Sequence, residues 1–138
     1  MDGRAQGPRR AEVGLFAPKD LLKFVLLYLA SRGPVTGTEV LRWVQANTLE
    51  QWRPSPGSVY PLLRRLQEKG LVRGLQQGKG RAYIATRAGL LELAKESEPP
   101  RVRRQLTLLS LYLRLLGPAY QDLAGLLERK AEELKAQK

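Results

Sequence analysis

The sequence predicts a mainly α-helical fold with one small β-hairpin, and three observations predict it. Leucine occupies 27 of 138 positions while aromatic residues make up 7%, and unbranched or γ-branched side chains lose little rotamer freedom in a helix. Apolar residues recur at spacings of three and four in segments bounded by capping residues and Gly or Pro breaks. Alternation of the strand type occurs at Ala82-Tyr83-Ile84-Ala85-Thr86, directly after a glycine-rich connection.

Residues 1–18 mix Gly, Pro and Arg without periodicity and are expected to form a flexible arm. A first helix is expected over residues 19–31. Asp20 suits the positive end of its dipole, Leu22, Val25, Leu26 and Leu29 recur along one face, and Gly33-Pro34 stops it. Thr36 caps a second helix over residues 37–49, with Glu39 three positions on in a capping-box arrangement. Its inward stripe is Val40, Leu41 and Val44, extended at the far end by Leu49.

Residues 51–54 break this pattern and Ser55-Pro56 restarts it. Ser at the N-cap satisfies an orphan amide, and Pro at the first helical position lacks only an N–H that the helix leaves unused. The third helix, over residues 56–69, turns Val59, Leu62, Leu63 and Leu66 inward and ends at Gly70, which suits a left-handed cap. Residues 71–75 and 82–86 then form the hairpin around Gln76-Gln77-Gly78-Lys79-Gly80-Arg81. Thr86 caps a short helix reaching residue 96, and Glu98-Pro99-Pro100 closes the unit. The expected division is a folded unit over residues 19–98 and a helical region over residues 99–138. The latter holds 11 of the leucines and is split by Gly117-Pro118 into two helices or one kinked helix.

Composition narrows the function. The chain carries 24 Lys and Arg against 13 Asp and Glu, a net charge of +11, with no His and no Cys. Disulfides, thiol- or His-ligated metal sites, Ser-His-Asp triads, Cys nucleophiles and histidine acid–base chemistry all lack their residues. No enzyme activity, metal or cofactor is expected. The longest apolar stretches, residues 21–30 and 106–116, are too short for a bilayer and contain Lys23 and Arg114. Met1 to Arg10 include Asp2, three arginines and no apolar run, so neither a signal peptide nor a membrane partner is expected, and a cytoplasmic location is. The excess charge points to a polyanion, nucleic acid before all others.

Three helices followed by a two-stranded hairpin is the order of a winged helix-turn-helix, in which one helix fits the major groove and the hairpin reaches the adjoining backbone. The charge agrees with that order. Residues 53–87 contain Arg53, Arg64, Arg65, Lys69, Arg73, Lys79, Arg81 and Arg87 against the single acid Glu68, a net +7 equal to that of the whole segment 1–98. The expected DNA-binding residues are Ser55, Ser58 and Tyr60 near the start of the third helix, Arg64 and Arg65 further along it, and Lys79 and Arg81 in the wing. Hydroxyls and a helix N-terminus meet phosphates. Arginines bind guanine edges or phosphates.

The run Pro54-Ser55-Pro56-Gly57-Ser58-Val59-Tyr60-Pro61-Leu62-Leu63-Arg64-Arg65-Leu66, followed by Gly70-Leu71, resembles the pattern Pro-Ser-x-Gly-x-x-Tyr-x-x-Leu-x-x-Leu of the PadR-like transcriptional regulators. Tyr83, Thr86 and Gly89 match the family's Tyr-x-x-Thr-x-x-Gly in and after the wing, and Gly33-Pro34 with Gly37 matches the turn before its second helix. Thr38 departs from the tyrosine often found after that glycine. The resemblance covers residues 20–93 and implies a homodimeric winged-helix regulator, usually a repressor, with a helical C-terminal dimerisation region.

The residues of that region support dimerisation by themselves. Val102, Leu106, Leu109, Leu113 and Leu116 form a heptad-like seam, and Leu108, Leu111, Tyr112 and Leu115 fill most of the other faces. Tyr120, Leu123, Leu127, Ala131 and Leu134 make a second stripe. Such surfaces need a partner, either a second copy or the winged unit of the same chain. A two-fold dimer would read double-stranded DNA as a near-palindrome with half-sites about one helical turn apart. Some members of the resembled family bind drugs or phenolic acids through interface aromatics, so Trp43, Trp52, Tyr112 and Tyr120 are candidates for a small aromatic effector. The alternative function is a winged-helix adaptor whose basic face binds an acidic protein.

Overall fold

The structure, a computed structural model, describes residues 20–135; the expected arm over residues 1–18 lies outside them. Helices α1 (Leu21–Ser31), α2 (Gly37–Asn47) and α3 (Pro56–Glu68) lead into strands β1 (Val72–Gln77) and β2 (Gly80–Ala85), and α4 (Arg87–Lys95) closes the unit. Helix α5 (Pro99–Leu116), a single 3-10 turn at Pro118–Tyr120 and helix α6 (Gln121–Lys135) follow. The chain therefore folds as a winged helix-turn-helix with a C-terminal helical hairpin.

One apolar cluster holds the first unit together. Leu26, Val40, Val59, Leu63 and Leu66 are essentially inaccessible, and Val25, Leu27, Ala30, Val35, Val44 and Val72 complete the cluster. Most of these positions are the ones that the helical spacing turns inward, but α1 buries Leu27 and Ala30 in place of Leu22 and Leu29, which are half-buried, as are Leu41 and Leu62. Burying a Val or Leu side chain contributes about 1.5–3 kcal/mol relative to exposing it. The antiparallel hairpin runs from Val72 opposite Ala85 to Gln77 opposite Gly80, and Val35 bridges to Tyr83 through two backbone hydrogen bonds of 3.0 and 2.8 Å. That bridge stitches the turn between α1 and α2 to the wing. Gly78 has φ +60 in a two-residue connection, where a side chain would be strained.

Several boundaries differ from the sequence expectation for physical reasons. Helix α2 ends at Asn47 instead of residue 49, because Thr48 Oγ1 donates to the Val44 carbonyl at 2.8 Å and accepts from the Trp52 amide at 3.1 Å. Leu49 and Glu50 then adopt left-handed backbone, φ 52 and 63, and Leu49 is 85% exposed rather than part of the inward stripe. The two prolines after Glu98 start α5 at its first turn, where proline is tolerated, as well as closing the preceding unit. Gly117, at φ 123, separates α5 from α6, so the C-terminal part is two helices.

Helices α5 and α6 pack on each other, burying Ser110, Leu113, Ala124 and Ala131. The small side chains let the backbones approach closely. Arg114 clasps the Glu128 carboxylate and also donates to Gln121, tying the two helices near their turn. That guanidinium holds Glu128 below the ordinary carboxylate range. Among the described residues, no helix is long and apolar enough to cross a membrane.

Candidate nucleic-acid interface

The start of α3 is built by its own sequence. Ser55 Oγ accepts from the Ser58 amide at 3.2 Å and lies 3.2 Å from Ser58 Oγ, while Pro56 occupies the first helical position. Both hydroxyls are exposed beside the helix N-terminus, where backbone N–H groups and the helix dipole favour an anion. Tyr60 sits one turn on and is 41% exposed. Its ring rests against the backbone of Gly37 at the start of α2, since a Cβ on Gly37 would overlap the ring. Its hydroxyl lies 3.2 Å from Thr38 Oγ1.

Arg64 and Arg65 follow on the exposed side of α3, opposite the buried Val59, Leu63 and Leu66. Lys79 sits in the two-residue connection of the wing, and Arg81 lies in β2 opposite Gln76. Arg81 is laid back across β1: a Cβ on Gly74 would stand 2.6 Å from Arg81 Nε and 3.0 Å from Gln67 Oε1. Gly74 is therefore the seat on which the wing arginine reaches toward α3. The structure thus places Ser55, Ser58, Tyr60, Arg64 and Arg65 along one helix and Lys79 and Arg81 on the adjoining hairpin.

Pairing separates these cations from six others among the described residues, Lys23, Arg53, Lys95, Arg101, Arg114 and Lys130. Arg53 contacts Glu50 at 2.8 Å, but Arg64, Arg65, Lys69, Arg73, Lys79, Arg81 and Arg87 form no ion pair with any described residue. Elsewhere Lys23 and Lys95 meet Glu92, Arg101 meets Glu96, Arg114 meets Glu128 and Lys130 meets Glu133. An array of cations without ion pairs along one helix, the adjoining hairpin and the start of the next helix is chemically a polyanion-binding surface.

The apolar positions of the C-terminal hairpin divide in two. Leu113 is buried and Val102, Leu106, Leu127 and Leu134 are half-buried, whereas Leu109, Leu116, Tyr120 and Leu123 remain exposed. Leu108, Leu111, Tyr112, Leu115 and Leu126 extend that exposed surface. Of the remaining aromatics, Trp43 and Trp52 pack against the core of the winged unit, Trp43 with its ring 5.9 Å from that of Tyr28. Thr38, Gly37 and Gly74 were not singled out as site residues from sequence. Thr38 and Gly37 meet Tyr60 more than twenty positions away, and Gly74 meets Arg81 and Gln67 across elements, so no local pattern marks them.

Comparison with known proteins adds to this geometry. The curated protein YqjI of Escherichia coli (strain K12), a transcriptional regulator, is 34% identical over 64 residues, which cover 46% of this chain and 31% of that protein. The chain thus matches about a third of the length of that relative. A transcriptional regulator from Clostridium thermocellum superposes with a TM-score of 0.56 at 17% identity, covering 62% of this chain and 84% of that one. A PadR-like transcriptional regulator from Bacillus cereus superposes with a TM-score of 0.51 at 25% identity, covering 71% and 92%. The family model of the PadR-like transcriptional regulators matches residues 26–95, from within α1 to the end of α4, and so spans the core, the Ser55–Tyr60 helix start and the whole wing. With more than half of its residues inside that match, the chain belongs to the PadR-like family of transcriptional regulators.

Proposed function

We propose that this chain represses transcription as a homodimer that reads a near-palindromic operator. The observation that carries the reading is the array of six cations (Arg64, Arg65, Lys69, Arg73, Lys79 and Arg81), without ion pairs among the described residues, on α3 with its C-cap and on the wing. Helix α3 enters the major groove, Ser55, Ser58 and Tyr60 meet phosphates, and Arg64 and Arg65 bind guanine edges or phosphates. Lys79 and Arg81 hold the backbone beside the groove. The exposed Leu108, Leu111, Leu115 and neighbouring side chains pair with those of a second copy, which removes an aggregation-prone surface from water. Operator occupancy then blocks access to the promoter.

Selection of bound duplexes from a random pool tests this. The expected product is an inverted repeat with half-sites about one helical turn apart, bound with a steep salt dependence. Arg64→Ala combined with Arg65→Ala is expected to abolish the preference. If that double variant binds as the wild type does, α3 is not the reading helix. If no motif emerges, the basic face serves an acidic protein partner instead.

A further inference from the structure

Thr38 is an exposed side chain at the start of α2, yet its hydroxyl is committed to a residue of α3, 22 positions away. Gly37 makes the contact possible. Without a Cβ there, the ring of Tyr60 lies directly on the first turn of α2, and its hydroxyl arrives 3.2 Å from Thr38 Oγ1. The pair sits at the solvent side of the interface, with Tyr60 41% exposed, so it is not part of the buried core. Arg64 follows Tyr60 by four positions and is its neighbour on the helix surface.

We propose that Thr38 is a positioning residue for DNA recognition, its hydroxyl donating to the Tyr60 oxygen so that the Tyr60 proton is aimed at a DNA phosphate. This rests on the DNA-binding reading above. Hydrogen-bond bookkeeping sets the direction. A phosphodiester oxygen only accepts, and a phenol has one proton to give. For Tyr60 to donate to phosphate, Thr38 must be the donor within the pair. The result is a chain from Thr38 O–H to Tyr60 O–H to phosphate, in which each bond polarises the next. No proton leaves either hydroxyl.

Anisotropy of a labelled duplex carrying the sequence that this chain selects from a random pool tests the idea with the whole 138-residue chain. Thr38→Val keeps the shape and removes only the hydroxyl; it is expected to weaken binding about three- to tenfold, the worth of one modest hydrogen bond, with an unchanged melting temperature. Thr38→Ser is expected to restore wild-type affinity. In a Tyr60→Phe background, Thr38→Val is expected to cost nothing more, because Thr38 acts through the phenol. Wild-type affinity in Thr38→Val overturns the proposal. So does a further loss in the Tyr60→Phe background, a failure of serine to rescue, or a loss that tracks a lowered melting temperature. Arg64→Ala with Arg65→Ala on the same duplex separates the two levels. Retained binding there sinks the reading of α3 as the recognition helix, on which the Tyr60–phosphate contact rests, whereas lost binding there with normal binding in Thr38→Val sinks only the role of Thr38.

Discussion

Lys79→Gln isolates the electrostatic part of the interface. Lys79 occupies the two-residue connection between Gln77 and Gly80, is exposed, and has no ion pair with any described residue. Its replacement therefore removes charge without removing packing or an internal bond. One lysine that neutralises one phosphate contributes about 0.9 to the slope of log K against log salt. In the proposed dimer the wing is present twice, so the slope should fall by about 1.8. Over a fourfold rise in salt, from about 50 to about 200 mM, the wild type should then lose about twelve times more affinity than the variant. Titration of a selected duplex at several salt concentrations reads this directly. An unchanged slope refutes the wing contact. A constant loss at every salt concentration refutes the electrostatic account, because a loss of shape does not scale with counterions. A change of about 0.9 keeps the wing on the DNA but removes the two-fold arrangement.

Three further outcomes follow from the packing. Gly89→Ala places a Cβ on the Leu71 carbonyl oxygen, which also accepts from the Thr86 amide at 3.1 Å, so it should destabilise the fold by about 1–3 kcal/mol in denaturant unfolding. A wild-type midpoint would refute that close approach. The Lys23–Glu92 pair, 2.6 Å across α1 and α4, lowers the Glu92 pKa below its ordinary 4.5 chiefly through the hydrogen bond from Lys23. A depressed folded pKa means that the contribution is present above about pH 4.5 and is lost as pH falls through the lower folded value. Glu92→Gln should accordingly cost up to about 1 kcal/mol near neutral pH and nothing at the acid end, measured by thermal melts across pH. Leu111→Glu with Leu115→Glu, at positions 54% and 76% exposed, should leave the melting curve of the winged unit unchanged while halving the mass seen by light scattering; an unchanged mass would place the dimer contact elsewhere.

Much of the fold was legible because its signals are local. Thr36 and Glu39 form the reciprocal capping box that their spacing announces, with the Thr36 amide donating to Glu39 Oε1 at 2.8 Å and the Glu39 amide to Thr36 Oγ1 at 3.1 Å. Ser55-Pro56 starts α3, and Gly70 takes the left-handed φ of +76 just past its end. The strands reach further than expected, to Gln77 and from Gly80, because the polar tip of an exposed hairpin carries no hydrophobic alternation. The left-handed turn at Leu49 and Glu50 has no glycine to announce it. It is held instead by Glu50, which accepts from Gln45 Nε2 and from Arg53, both at 2.8 Å. Tyr60 was nominated from the sequence, but its hydrogen-bond partner Thr38 was not, since the bond joins two helices whose approach depends on an absent Cβ.

The net charge of +11 takes its meaning from where the carboxylates are absent. Glu92, Glu96, Glu128 and Glu133 each hold a cation on the faces of α1, α4, α5 and α6. On α3 and the wing only Glu68 stands among the arginines and lysines, and it makes no ion pair with any described residue. A surface merely kept soluble by charge would intersperse both signs, since like charges crowded together repel and disfavour the compact state. Holding six cations without ion pairs on one helix with its cap and one hairpin carries that repulsive cost in the free protein, and a polyanionic partner would relieve it. The same segregation explains why α3 can combine a well-buried Val59–Leu63–Leu66 stripe with two adjacent arginines: the apolar face anchors the helix in the core, and the opposite face is left for a ligand that brings its own negative charge.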